Sequence, residues 1–154
     1  MDLDSSSKTF LNLISPISDK IFYENYWEKN PLFIKRKDSY YYQNILTVQD
    51  MNYFLKRNDI RYPTIRLVKD GSELPLEDYS KNITLGRYIS EGLINNDKLF
   101  HFLNERATVL FQLVHNSVPS LSKFANSLEK YFNFRVYTNV YITPQNSQGI
   151  YTTL

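Results

Sequence analysis

The stretch FRVYTNVYITPQNSQG, Phe134 to Gly149, decides how the rest of the chain is read. Strand alternation, a polar face and a turn signature coincide in it. Tyr137, Asn139, Tyr141 and Thr143 alternate with Val136, Thr138, Val140 and Ile142. Successive side chains of a strand point to opposite faces. The second set therefore joins an apolar core, while the first lines a polar cavity or faces solvent. Four hydrogen-bonding side chains on one face suit a cavity wall, but alternation alone fits a solvated surface equally well. Pro144 has no N–H to donate and ends strand pairing. Gln145 to Gly149 then read as a loop.

The segments before this strand are mostly helical. Phe10, Leu11, Leu13 and Ile14 form an amphipathic helix over Ser7–Ser15, closed by Pro16. Ser18 caps a second helix with Asp19 at its positive end, and Asn30-Pro31 breaks it. Leu32-Phe33-Ile34 reads as a short strand followed by Lys35-Arg36-Lys37, with Asp38-Ser39 opening a turn into Tyr40-Tyr41-Tyr42. Thr47 and Asp50 form a capping box for a third helix carrying Val48, Met51, Phe54 and Leu55. Thr64 to Val68 is a strand ending at the Asp70-Gly71 turn. Leu74 to Lys81 reads as irregular, and Leu85 to Leu93 as a weak helix containing Gly86 and Gly92. A helix capped by Asp97 runs to Arg106 with Leu99, Phe102 and Leu103 inward. Thr108 to Val114 is an apolar strand. A helix from Val118-Pro119 to Tyr131 places Leu121, Phe124, Ala125, Leu128 and Tyr131 on one stripe. The order gives an α+β fold whose best strand comes last, so the sheet reads as unfinished.

Composition bounds the function classes. At 154 residues the chain is one domain or part of one. With 42% hydrophobic and 16% aromatic residues it has the material for a core and lacks the signature of disorder. A net charge of +2 is too mild to argue nucleic-acid or membrane binding by itself. The absence of cysteine excludes a disulfide framework, a thiolate nucleophile and a zinc–cysteine site, and fits a cytoplasmic location. MDLDSSSKTF has acids where a signal peptide needs basic residues. No stretch approaches the roughly 20 apolar residues of a membrane helix.

Motifs add little chemistry by themselves. His101 and His115 have no Asp or Glu at ligand spacing and read as structural. Trp27, near a helix end, reads as a core residue. Lys35-Arg36-Lys37 beside the three tyrosines would suit an RNA surface, but fits a solvated strand edge more simply. No phosphate-binding or Gly-x-Ser-x-Gly pattern occurs.

Four segments, YWEKNPLFIKR (26–36), IRLVKDGSELP (65–75), ATVLFQLVHNSVPSL (107–121) and TNVYITPQNSQG (138–149), stand in an order and spacing that resemble a known family. They resemble the cupin-like JmjC oxygenases of the ribosomal oxygenase branch, Fe(II)- and 2-oxoglutarate-dependent protein hydroxylases. The resemblance implies that residues 1–154 are the N-terminal part of one JmjC domain: a helical region leading into the first strands of a double-stranded β-helix. It implies that Asn139 and Tyr141 face the co-substrate and that a ribosomal protein is the substrate. The family's iron is held by a His-x-Asp pair and a distal His. The first His would fall at Thr153, and the other ligands beyond Leu154. The chain alone is therefore expected to bind neither iron nor 2-oxoglutarate, and to be inactive by itself. The alternative is a non-catalytic module on the same scaffold that contacts a ribosomal protein or RNA.

Overall fold

Local signals set the helices. The computed structural model describes residues 4–147. Helix α1 (Ser5–Ile14) starts where the Asp4 carboxylate accepts the Ser7 N–H at 2.7 Å. Helix α2 (Asp19–Asn25) is capped by Ser18, and α3 (Val48–Leu55) by the reciprocal Thr47–Asp50 box. Each cap satisfies amide donors that a helix start leaves without partners. Strands β1 (Ile65–Lys69) and β2 (Ser72–Glu73) form a hairpin. Its two turn residues, Asp70 and Gly71, both have positive φ, as a tight two-residue hairpin turn requires. Then follow α4 (Leu76–Tyr79), β3 (Ser80–Leu85), β4 (Tyr88–Ile94), α5 (Asn96–Asn104) and β5 (Thr108–Phe111). A short 3-10 turn (Val114–Asn116), α6 (Pro119–Phe132) and β6 (Val140–Ile142) complete the described chain.

The main sheet has the order β2-β1-β5-β6, antiparallel throughout. Its core face presents Ile65, Leu67, Val109 and Phe111, all fully buried, with Val140 and Ile142 packed beside them. Met51, Phe54 and Leu55 of α3, Leu99 of α5 and Leu121 of α6 cover that face. A second, aromatic cluster joins α1 to the far half of α6. Phe10 stacks on Tyr131 at 4.3 Å and meets Phe22 edge-on at 5.2 Å. Trp27 stacks on Phe132 at 5.2 Å but is only half-buried and belongs to neither cluster, so it sits at the rim of the aromatic cluster and not in the core expected for it. Such pairs add about 0.5–1.5 kcal/mol each beyond simple area burial. Phe124 packs against both clusters, so α6 ties the helical layer to the sheet.

The α+β class holds, with mixed helices and antiparallel sheets that do not close into a barrel among the described residues. Four local expectations are corrected. Leu85–Leu93 is not a helix: β3 and β4 form a separate two-stranded sheet turning at Gly86-Arg87. Gly86 and Gly92 have φ of +62° and +68°, so they mark a turn and an irregular strand position and do not weaken a helix. Leu74–Lys81, read as irregular, contains α4 and the start of β3. Leu32–Ile34 forms no strand among the described residues, and Phe33 is 86% exposed. The cap of α5 is Asn95, whose side chain accepts from Asp97 and Lys98; Asp97 lies inside the helix. The strand expected over Tyr137–Thr143 has ladder bonds only at Val140–Ile142. The expected burial alternation nevertheless runs unbroken from Val136 to Thr143. Gln148, Gly149 and Thr153 lie outside the described residues.

Candidate functional site on the outer sheet face

Ladder register fixes which side chains share the face opposite the core. Val68 stands opposite both Glu73 and Thr108, and Leu110 opposite both Arg66 and Tyr141. Directly paired residues point to the same side. One row therefore runs Glu73, Val68, Thr108, and the next Arg66, Leu110, Tyr141. Thr108 extends the first row by donating its hydroxyl to Thr143 Oγ1 at 3.1 Å. Val68 and Leu110 are only 5% exposed, yet they belong to neither core cluster. The centre of the face is thus buried, Thr108 wholly so, and its margin at Arg66, Glu73 and Tyr141 is open to solvent.

Arg66 and Glu73 form a two-pronged ion pair on this face, with Arg66 Nε 2.7 Å from Glu73 Oε1 and a second contact through Nη2. The guanidinium holds the Glu73 carboxyl below the usual carboxylate range, and Glu73 in turn raises Arg66. Sequence reading missed this pair. Its signal was present in β1, where Arg66 and Val68 alternate, and in the two-residue turn that folds Glu73 back beside them. Tyr79 is fully buried, and its hydroxyl has no partner among the described residues. Burial pushes its phenol up to about 12.

Asn139 and Tyr141 lie on the exposed members of the alternation. Tyr141 is 54% exposed. The Asn139 side-chain oxygen accepts the Leu113 N–H at 3.3 Å. Leu113 sits in the left-handed region with φ 53°, where the chain leaves β5 for the 3-10 turn. Asn139 thereby braces that bend, and its side-chain N–H groups make no hydrogen bond among the described residues. The neighbouring Thr138 points inward, its hydroxyl accepting the His115 N–H at 3.1 Å and lying 3.0 Å from His115 Nδ1.

The other highlighted residues serve the scaffold. His101 pairs with Glu105, Nε2 to carboxylate 3.2 Å. Arg36 does not project freely beside its lysines. It donates to the Ser15 and Leu13 carbonyls at 2.7 Å each and lies 3.8 Å from the centre of the Tyr41 ring. It therefore closes the C-terminal end of α1, where carbonyls lack partners. Lys35, Lys37 and Tyr40 remain exposed. Among the described residues no three His, Cys, Asp or Glu side chains gather as metal ligands. What the outer face offers is hydrogen-bond donors and acceptors around an apolar floor. Among the described residues no helix is long and apolar enough to cross a membrane.

Comparison with known proteins agrees with the resemblance in the sequence. Ribosomal oxygenase 2 of Mus musculus is 32% identical over 97% of this chain, and the chain covers 31% of that protein. The Bifunctional lysine-specific demethylase and histidyl-hydroxylase NO66 of Drosophila mojavensis is 26% identical over 92% of the chain, which covers 15% of it. Ribosomal oxygenase 1 of Danio rerio is 23% identical over 95% of the chain, which covers 25% of it. No family model matches. Along nearly its whole length the chain is similar to ribosomal oxygenases and to the NO66 proteins, and it spans at most about a third of the length of those named here.

Proposed function

We propose that these 154 residues form the N-terminal part of a JmjC-type oxygenase that hydroxylates a ribosomal protein, using Fe(II) and 2-oxoglutarate. The supporting observation is the outer face of β5 and β6. There the exposed members of an unbroken alternation, Asn139 and Tyr141, are hydrogen-bonding residues, in a chain homologous to such enzymes along 97% of its length. In this reading the face becomes one wall of the co-substrate pocket. The Asn139 amide and the Tyr141 hydroxyl donate to a 2-oxoglutarate carboxylate, and the Arg66–Glu73 pair fixes the far rim. Bound iron and 2-oxoglutarate would activate O2, which is the oxidant, with 2-oxoglutarate oxidised in the process to succinate and CO2. The chain's own residues would orient the co-substrate and exclude water. The metal ligands would come from sequence after this stretch, so the isolated chain should not turn over 2-oxoglutarate.

The coding sequence after Leu154 tests the first half of the proposal. An in-frame continuation supplying His and Asp ligands is expected, and its absence would remove the oxygenase reading. In that longer product, Tyr141→Phe and Asn139→Ala should raise the KM for 2-oxoglutarate about tenfold, as loss of one charge-assisted hydrogen bond implies. Iron affinity should stay unchanged. An unaltered KM in both variants would take these residues out of the pocket. Iron-dependent CO2 release from 2-oxoglutarate by the 154-residue chain alone would overturn the assignment of the ligands to later sequence.

A further inference from the structure

A cleft of about 680 Å³ opens between α1, the tyrosine turn and α6, and shares no residue with the outer sheet face. Its volume is in the range of small-molecule sites. Its walls are braced before any ligand arrives. Tyr41 donates its hydroxyl to the Asn12 carbonyl at 2.6 Å, joining the turn to α1. Ser120 donates to the Ile45 carbonyl at 2.8 Å, joining α6 to the other end of the turn. Arg36, packed on Tyr41 and bonded to the end of α1, holds that corner. The floor is apolar, with Leu13 and Phe124 half-buried.

The charge of the lining is one-sided. Lys123 is its single ionised side chain, and no acidic residue lines the cleft. Lys123 makes no ion pair among the described residues. The side chains of Asn12, Asn44 and Ser127 also point no hydrogen bond at the protein among the described residues, while lining the same space. One cation and several neutral donors above an apolar floor match a ligand with one anionic end and an apolar body. A dianion would exceed the single positive charge.

We propose that this cleft binds a small organic monocarboxylate with an aromatic or branched apolar body. The carboxylate meets Lys123 and the Asn12 and Ser127 donors, and the body lies on Leu13 and Phe124. Phe124 also packs against both core clusters, so occupation would clamp the helical layer to the sheet.

The test titrates the 154-residue chain with 4-fluorobenzoate, observed by fluorine NMR, against its neutral isostere 4-fluorobenzamide and against acetate. Benzoate binding at about 1 mM or tighter is expected, with the amide and acetate each about tenfold weaker. Lys123→Met, at an exposed position, should lose about tenfold in benzoate affinity without shifting the melting temperature. Ser127→Trp, which fills the cleft, should abolish binding. Equal binding of acid and amide, or full affinity in Lys123→Met, would overturn the proposal, and so would absence of benzoate binding. None of these outcomes bears on Asn139 or Tyr141, so this site and the oxygenase reading fail separately.

Discussion

Arg36 shows how one side chain can leave a surface patch and become architecture. Its sequence neighbours, Lys35, Lys37 and three tyrosines, suggest a basic aromatic surface. Its contacts instead place two charge-assisted hydrogen bonds on the carbonyls ending α1, with a tyrosine face beneath. Bonds to a charged donor contribute about 1.5–3 kcal/mol each. Two such bonds would sum to about 3–6 kcal/mol, and because Arg36 is only half-buried Arg36→Met is expected to destabilise the chain by about 2–3 kcal/mol, read by urea denaturation. Arg36→Lys should recover less than half, because a lysine lacks the planar fork that reaches both carbonyls. A Met variant as stable as the parent would return Arg36 to the free surface. Glu73 makes the matching case on the other side of the molecule. Its folded-state pKa is depressed by Arg66 from the ordinary 4.5. A depressed carboxylate contributes stability above its unfolded value, and that contribution is lost as pH falls through the folded value. The parent should therefore lose stability progressively below about pH 4.5. Glu73→Gln should start lower at pH 7, with Arg66 left unpaired, and converge on the parent in acid. Parallel pH–stability curves would show that the pair contributes nothing.

Among the elements, those with a local chemical cause were legible in the sequence. The caps of α2 and α3, the Asp70-Gly71 turn and the stripe of α6 each depend on residues close together in the chain. The β3–β4 hairpin was not legible, because Gly86 and Gly92 admit two readings. In a helix they cost stability. In a hairpin they supply the positive φ that other residues adopt only with strain. Ile83, Thr84, Tyr88 and Ile89, all strand formers, favoured the second reading. Leu32–Ile34 failed for the opposite reason: an apolar trio is a strand only if a partner strand stands beside it, and none does among the described residues. The site followed the same division. The exposed face shared by Asn139 and Tyr141 follows from period-two alternation, whereas the Arg66–Glu73 pair depends on a ladder register that no short window contains. Gly92 offers a direct check at this scale. A Cβ there would meet the nearest side-chain atom at 3.7 Å, an ordinary contact, so the cost of Gly92→Ala is backbone strain alone. About 1–2 kcal/mol is expected, with faster amide exchange confined to Ser80–Ile94. A neutral substitution would mean the backbone there relaxes freely.

At the scale of the whole molecule, the chain has two apolar clusters bridged by α6 and one sheet with unlike sides. Helices cover the inner side, while the outer side carries the residues assigned here to a pocket. The sheet ends at β6, whose far edge pairs with no strand among the described residues. Such an edge exposes unpaired N–H and C=O groups beside exposed aromatic side chains, Tyr137 at 70% and Tyr141 at 54%. Edges of this kind template association with other chains unless a charge or a covering element blocks them. In the proposed enzyme, later barrel strands would cover it, so the feature that makes the face a pocket wall also makes the isolated chain adhesive. The 154-residue chain should therefore self-associate at concentrations of about 100 μM, in the range where exposed edges aggregate. Tyr141→Lys, which sets a charge on that edge, should return it to monomer in sedimentation velocity without lowering its melting temperature. The comparison Tyr53→Lys, an exposed tyrosine on α3 away from the edge, should leave association unchanged. A parent that sediments as a clean monomer would show that the edge is already protected. Equal rescue by both lysines would trace association to net charge and remove β6 as its cause.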